Sequence, residues 1–231
     1  MAKIITADEA AALIKDGMTV MVGGFMDNGT PEPIIDAMVK SGVKDLTIIC
    51  NDAAWGRKKN KETGEWEGRL GGTGKLVANH QVKKLICSHI GLNPEMQAQY
   101  KAGETELELV PQGTLAERIR SAGAGLGGFY TPTAVGTELA EGKETKVING
   151  VEYVLELPLK ADVALIGGHI VDKKGNIRYI GSERNFNIVM ALAADLVITG
   201  ADEIVEAGAI GPDYVETPGI LIDYIVGKEE K

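Results

Sequence analysis

The stretch from residue 18 to residue 33 constrains the fold of this chain more than any other. A short apolar run with β-branched threonine and valine breaks into Gly23, Gly24 and Gly29, and prolines follow at positions 31 and 33. Such a run predicts a buried strand, and proline suits the first turn of a helix. Glycines let the backbone approach a ligand, and free N–H groups at a helix start bind anions. The stretch predicts a strand, a tight loop and a helix. The loop is either a ligand site or a plain connection between the strand and the helix.

The rest of the chain repeats this alternation. A capping box at residues 6–9 predicts the first helix. Further strands are predicted at 46–50, 84–88, 107–110, 162–166, 177–180 and 196–199, and helices at 10–15, 33–40, 76–79, 94–101, 115–121, 187–194 and 219–226. This order predicts an α/β fold with an open, mostly parallel sheet and helices on both faces. Asn149-Gly150, between residues 145–148 and 151–157, predicts a small β-hairpin. A length of 231 residues fits one domain, residues 1–231.

Charge and apolar patterning exclude several classes of protein. The net charge of −9 and the pI near 5.0 argue against nucleic-acid and anionic-membrane partners. The start of the chain is amphipathic, unlike a secretory signal, and no apolar run approaches the ~18 residues of a membrane span. We therefore expect a cytoplasmic protein.

Cysteines and histidines give no metal pattern. Cys50 and Cys87 each close an apolar run, which predicts buried free thiols. His80, His89 and His169 are scattered without metal spacing, so no metal site is expected.

Three polar or glycine-rich segments are candidates for binding. Residues 57–66 are basic and turn-rich, and they either meet substrate phosphates or form a solvated surface loop. The glycine block, residues 123–129, satisfies G-x-G-x-x-G, but it follows a helix pattern and opens no helix, so it fails the condition for dinucleotide binding. Phe129 and Tyr130 after it could wall a small dry pocket. Gln112 is placed at the carboxyl edge of the sheet, where a neutral amide can donate to a carbonyl oxygen.

Several segments together resemble one known family. They are Gly-Gly-Phe-x-x-x-Gly-x-Pro at 23–31, Val-Pro-Gln-Gly-Thr-Leu-Ala-Glu-Arg-Ile-Arg at 110–120 with Gly-Ala-Gly-Leu-Gly-Gly-Phe-Tyr-Thr-Pro-Thr at 123–133, and Ser-Glu-Arg-Asn-Phe-Asn at 182–187. In this order the blocks resemble the α subunits of family I coenzyme A transferases.

The resemblance implies a set of residues that bind CoA or its acyl group. They are Gly23, Gly24, Phe25, Met26, Asp27, Asn28, Gly29, Asn51, Gln112, Gly125, Gly127, Gly128 and Phe129. In the family, the amides at the positions of Asn51 and Gln112 lie close to the reacting acyl group. Asp52 stands where some relatives carry a second asparagine, and its role is left open.

The resemblance also implies that this chain is half of an enzyme. In enzymes of this family, a glutamate of the β subunit attacks the acyl-CoA, and the reaction passes through a glutamyl-CoA thioester. Glu183 matches an α-subunit segment, so we expect no catalytic nucleophile here. The implied partner is a β subunit in an α2β2 or higher hetero-oligomer, CoA is a substrate, and no cofactor is expected. Acetyl, acetoacetyl and butyryl groups are the implied acyl class.

Two other hypotheses stay open from the residues alone. A sugar-phosphate isomerase would use similar glycine loops, but no cluster of acid/base carboxylates beside a phosphate site is visible. A non-catalytic ligand-binding domain is the third hypothesis, although no DNA-binding motif accompanies it.

Overall fold

The computed structural model describes residues 2–228, in which strands and helices alternate as the sequence predicts. The helices are α1 (Ala7–Leu13), α2 (Glu32–Ser41), α3 (Thr73–Ala78), α4 (Pro94–Ala102), α5 (Gln112–Gly123) and α6 (Asn187–Met190). The strands are β1 (Lys3–Ile5), β2 (Thr19–Val22), β3 (Leu46–Cys50), β4 (Lys58–Lys59), β5 (Trp66–Glu67), β6 (Val82–Cys87), β7 (Glu106–Leu109), β8 (Phe129–Thr131), β9 (Thr145–Ile148), β10 (Val151–Glu156), β11 (Ala161–Asp172), β12 (Ile177–Arg178), β13 (Ala194–Val205) and β14 (Tyr224–Gly227).

The main sheet has the order β1-β14-β13-β11-β2-β3-β6-β7, and neighbours along this path are parallel. Only β12, paired with β11, is antiparallel within it. Along β2, Val20 and Val22 pack on one face with α1 to α4, whereas Met21 packs on the other face with α5 and α6. Side chains of a strand alternate between faces, so each strand supplies both cores. The predicted α/β fold with helices on both faces is confirmed.

The predicted hairpin is present in a separate small sheet of order β8-β10-β9. Asn149 and Gly150 form its turn with φ of 52° and 79°, as the tight hairpin turn requires. Residues 58–67 form a further short hairpin of β4 and β5, where the sequence predicted only a loop at 57–66.

Some predicted boundaries are wrong. The helix predicted at 219–226 is a single 3-10 turn, Gly219–Leu221, followed by β14. Ile225 and Val226 are almost fully buried, because β14 lies between β1 and β13. A short apolar run gives the same pattern in a buried strand and in a buried helix, so tertiary pairing decided the outcome. Helix α6 ends at Met190, because residue 194 already begins β13.

Candidate active site

The turn at residues 23–29 follows β2 at the carboxyl edge of the main sheet. Gly23 is buried, and a side chain there would place its Cβ 1.7 Å from Asn187 Oδ1. Gly24 has φ of +115°, and its Cβ would lie 2.1 Å from Thr30 Oγ1. Both positions therefore need glycine for close packing, and Gly24 needs it also for its backbone angle.

The centre of the turn is strained. Phe25 and Asn28 exchange two backbone hydrogen bonds of 3.0 Å, which closes a two-residue reverse turn. The two residues between them, Met26 and Asp27, have φ of 50° and 75°. Both angles are left-handed, a region that favours glycine or asparagine, and such strain persists only where surrounding contacts hold it. Trp55 supplies one contact, since its Nε1 donates to Met26 O at 3.3 Å.

Asp52 joins this turn to two amide side chains. Its Oδ2 accepts from Met26 N at 3.1 Å and from Asn51 Nδ2 at 2.7 Å, and its Oδ1 accepts from Ala54 N at 2.8 Å. Asn51 Oδ1 in turn accepts from Gln112 Nε2 at 2.6 Å. Asn51 is 1% exposed, whereas Gln112, the first residue of α5, is exposed. Residues predicted from three distant segments thus meet at one edge.

The other flank of the turn is held by a polar segment that the site prediction did not include. Asn185 Oδ1 accepts from Gly24 N, and its Nδ2 donates to Asn28 O at 2.9 Å. Asn187 Nδ2 donates to Gly29 O at 3.0 Å. The signal that could have found these two asparagines is the 182–187 block itself, which the resemblance identified without assigning it a role.

Glu183 lies in the same segment. Its Oε2 accepts from Ile180 N at 3.2 Å, and its backbone carbonyl packs against Gly29. The carboxylate therefore caps a short 3-10 turn, Gly181–Arg184. That it is not the nucleophile stays a prediction.

Asp27 carries the one carboxyl group among residues 23–29. Burial, and then the nearby Glu32 carboxylate, raise the pKa of Asp27 to about 6, against the opposing effect of Arg69. Arg69 Nη2 lies 3.0 Å from Asp27 Oδ2 and stacks over Trp55, 4.9 Å from the ring centre. Asp27 Oδ1 is buried and has no hydrogen-bond partner within residues 2–228.

A cavity of about 240 Å³ lies beside the turn, between Asn28 and the middle of β11 and β13. Its lining includes Glu183, Asp202 and Lys228, so it is charged. Glu183 and Asp202 of this lining also form a cluster with His169, in which the ligand atoms of the three residues lie within 4.8 Å of one another. Asp202 already binds Lys228 Nζ at 2.6 Å and His169 Nδ1 at 3.1 Å.

The glycine block lies apart from the 23–29 turn and from Gln112. It follows the end of α5, and a helix of 12 residues is about 18 Å long, so the block starts about that far from Gln112. Gly125 and Gly127 are exposed, whereas Gly128 packs against Glu156 O and Phe129 begins β8. No hydrogen bond found in residues 2–228 joins the block to the turn.

Fold and site together define an α/β protein with a hydrogen-bonded, amide-lined turn at the carboxyl edge of a parallel sheet. The chain belongs to the coenzyme A transferase family, whose model matches residues 4–228. This confirms the resemblance seen in the sequence.

Two relatives of known name are similar over nearly the whole chain. The acetate CoA-transferase subunit alpha of Escherichia coli K12 is 48% identical over 99% of this chain and 98% of its own. The acetoacetyl-CoA:acetate/butyrate CoA transferase alpha subunit of Clostridium acetobutylicum is 48% identical over 97% of each.

A solved acyl-CoA transferase from E. coli O157:H7, in a thioester complex with CoA, superposes with a TM-score of 0.82 at 20% identity. It matches 100% of this chain, which spans about half of that enzyme's length, 48%. At this identity the likeness supports the fold alone.

No helix within residues 2–228 is both long and apolar enough to cross a bilayer.

Proposed function

We propose that the chain is the α subunit of a short-chain acyl CoA-transferase, which moves CoA between an acyl-CoA and a free carboxylic acid. The observation that carries this proposal is the exposed amide of Gln112, held by the buried Asn51 beside the strained turn. Fixed neutral donors suit an oxyanion that develops on a carbonyl, because they need no reorganisation during the reaction. The family membership supports the reaction class.

The acyl class is acetyl, acetoacetyl or butyryl. The names of the two 48% identical relatives, an acetate and an acetoacetyl-CoA:acetate/butyrate transferase subunit, support this choice. CoA serves as a substrate, and the proposed reaction requires no cofactor.

In the proposed reaction a glutamate of a companion β subunit attacks the thioester carbonyl and releases CoA thiolate, giving a mixed anhydride. The thiolate then attacks the glutamyl carbonyl, which releases the first carboxylate and leaves a glutamyl-CoA thioester. A second carboxylate then attacks the glutamyl-CoA thioester, and the same two steps run in reverse. They form the new acyl-CoA and restore the glutamate. The role of this chain is to orient the acyl group with Gln112, to donate to the oxyanion and to keep water from the intermediates.

The experiment is co-expression of the chain with the protein encoded by its neighbouring reading frame, followed by an assay of CoA exchange between acetoacetyl-CoA and acetate or butyrate. We expect exchange by the complex and none by either chain alone. Full activity from this chain alone would refute the proposal that the catalytic glutamate lies on a β subunit. The complex is expected to be α2β2 or larger, which light scattering measures.

The role of Glu183 is tested in the same assay. Glu183→Gln keeps an acceptor oxygen for Ile180 N but cannot act as a nucleophile. The proposal expects activity within about twofold of the unsubstituted complex. Loss of activity together with retained complex formation would make Glu183 the nucleophile.

The proposal places the reaction in the cytoplasm. Cys50 and Cys87 support this, since both are free thiols, as is usual in a reducing compartment.

A further inference from the structure

We propose that Asp52 is a positioning residue, whose buried carboxylate sets the orientation of the Gln112 amide through Asn51. This inference rests on the proposed function, because it concerns the amide that meets the acyl group. The sequence left the role of Asp52 open.

The side chain of Asp52 is a carboxylate. It only accepts hydrogen bonds, so Asn51 must turn its NH2 group toward Asp52 Oδ2, at 2.7 Å. The Asn51 oxygen then faces Gln112, which must present its own NH2 group at 2.6 Å. Two amides that could each adopt either of two flips are thereby fixed in one direction.

Burial decides which amide can reach a ligand. Asp52 is 7% and Asn51 1% exposed, whereas Gln112 is exposed. With one N–H occupied by Asn51, Gln112 offers its second N–H and its Oε1 to the site. Asn51 therefore transmits the orientation, and Gln112 makes the contact.

The same carboxylate also holds the strained turn, because it accepts from Met26 N at 3.1 Å. It accepts a further hydrogen bond from Ala54 N, which lies outside the turn, at 2.8 Å. Three donors thus share its two oxygens. An asparagine at position 52 has one acceptor oxygen in the same volume, so at least one of the three donors faces an NH2 group. Asp52→Asn changes hydrogen-bond direction with little change in packing.

The kinetic test is a double-mutant cycle in the complex with the companion subunit. Asp52→Asn is expected to lower kcat by roughly tenfold or more, with KM for acetoacetyl-CoA changed by less than about twofold. In the Gln112→Ala background, the fold-loss of kcat caused by Asp52→Asn should be at least about threefold smaller than in the native background. A smaller difference between the two backgrounds would mean that Asp52 acts independently of Gln112, and it would overturn the proposal.

Asp172→Asn is the matched control. Asp172 is also buried, at 1% exposure, and also accepts several hydrogen bonds, from Lys174 N, Asn176 N and Asn176 Nδ2. A general loss of stability would affect kcat in Asp172→Asn as well and would not depend on Gln112.

A second measurement works without activity. The side-chain NH2 resonances of Gln112, assigned by Gln112→Ala, are expected to shift in Asp52→Asn and to stay in place in Asp172→Asn. Unmoved resonances in Asp52→Asn would overturn the proposal. If the unsubstituted complex transfers no CoA, the proposed function fails, and these resonances alone decide the role of Asp52.

Discussion

The 23–29 turn and the glycine block are both rich in glycine and both resemble family signatures, yet the fold holds them in opposite ways. In the turn, contacts from Asp52, Trp55, Asn185 and Asn187 surround a backbone in sparsely populated angles. In the block, Gly123 and Gly128 near its two ends are closely packed, but the central Gly125 and Gly127 have no atom within 4 Å of a Cβ position. A distinctive motif can therefore be pre-organised by its own chain or left partly open, and sequence alone does not separate the two cases.

The largest expected effect is from Gly23→Ala. Its Cβ would lie 1.7 Å from Asn187 Oδ1, so the segment that holds the turn must move. We expect the free energy of unfolding to fall by about 2–4 kcal/mol, measured by urea denaturation. Gly127→Ala is the matched control from the open block and should change it by less than about 0.5 kcal/mol. Similar losses in both variants would remove the distinction between the two regions.

The next effect is on catalysis. Gln112→Ala should lower kcat of the complex by roughly 100-fold, since it removes the exposed donor, while the free energy of unfolding changes by less than about 1 kcal/mol. Gln97→Ala, in α4, removes an amide that bonds only the carbonyls of Ile90 and Gly91, and it should leave kcat unchanged. Equal activity of the two variants would show that the amide cluster is structural.

Asp27 gives the turn a pH dependence that the open block lacks. Its folded pKa, raised to about 6, exceeds the ordinary value of 3.8, so the native state binds the proton more tightly than the unfolded state. The resulting stability is complete below about pH 4 and is lost as the pH rises through about 6. In Asp27→Asn the decline in unfolding free energy between pH 4 and pH 7 should shrink by roughly 1–2 kcal/mol. If Asp27→Asn left this decline in unfolding free energy unchanged, the Asp27 carboxyl would be solvated and its pKa would not be raised.

The smallest global effect is expected from Gly150→Ala, in the small sheet beyond the glycine block. Gly150 has φ of 79°, so alanine strains the hairpin by about 1 kcal/mol. All four residues of β9 are exposed, and the main core does not depend on them. Hydrogen exchange in β9 and β10 should accelerate, while global unfolding changes by less than about 0.5 kcal/mol. A global loss as large as that of Gly23→Ala would mean that both regions unfold as one unit.

Local patterns predicted much of the fold. The capping box at residues 6–9 and the Asn149-Gly150 turn are short-range devices, and both are present. The strand β14 was missed because its identity depends on pairing with β1 and β13, which are distant in the sequence.

The site was predicted in part for the same reason. Asn51 and Gln112 follow β3 and β7, and the carboxyl ends of parallel strands meet at one edge, so their proximity follows from topology. The hydrogen-bonding roles of Asp52, Asn185 and Asn187 need side-chain directions, which no pattern supplies. The glycine block shares a signature with Gln112, but α5 separates the two by its own length.

The parallel pairing of β1 with β14 governs how the protein can be handled. Lys3 lies opposite Tyr224, and both strands then run toward the edge that carries the turn. An affinity tag placed before β1 therefore starts at the far end of the sheet. A tag or fused domain placed after β14 emerges beside Asp202 and Lys228, which line the cavity next to the turn. Purification of the complex is best attempted with the label at the amino terminus.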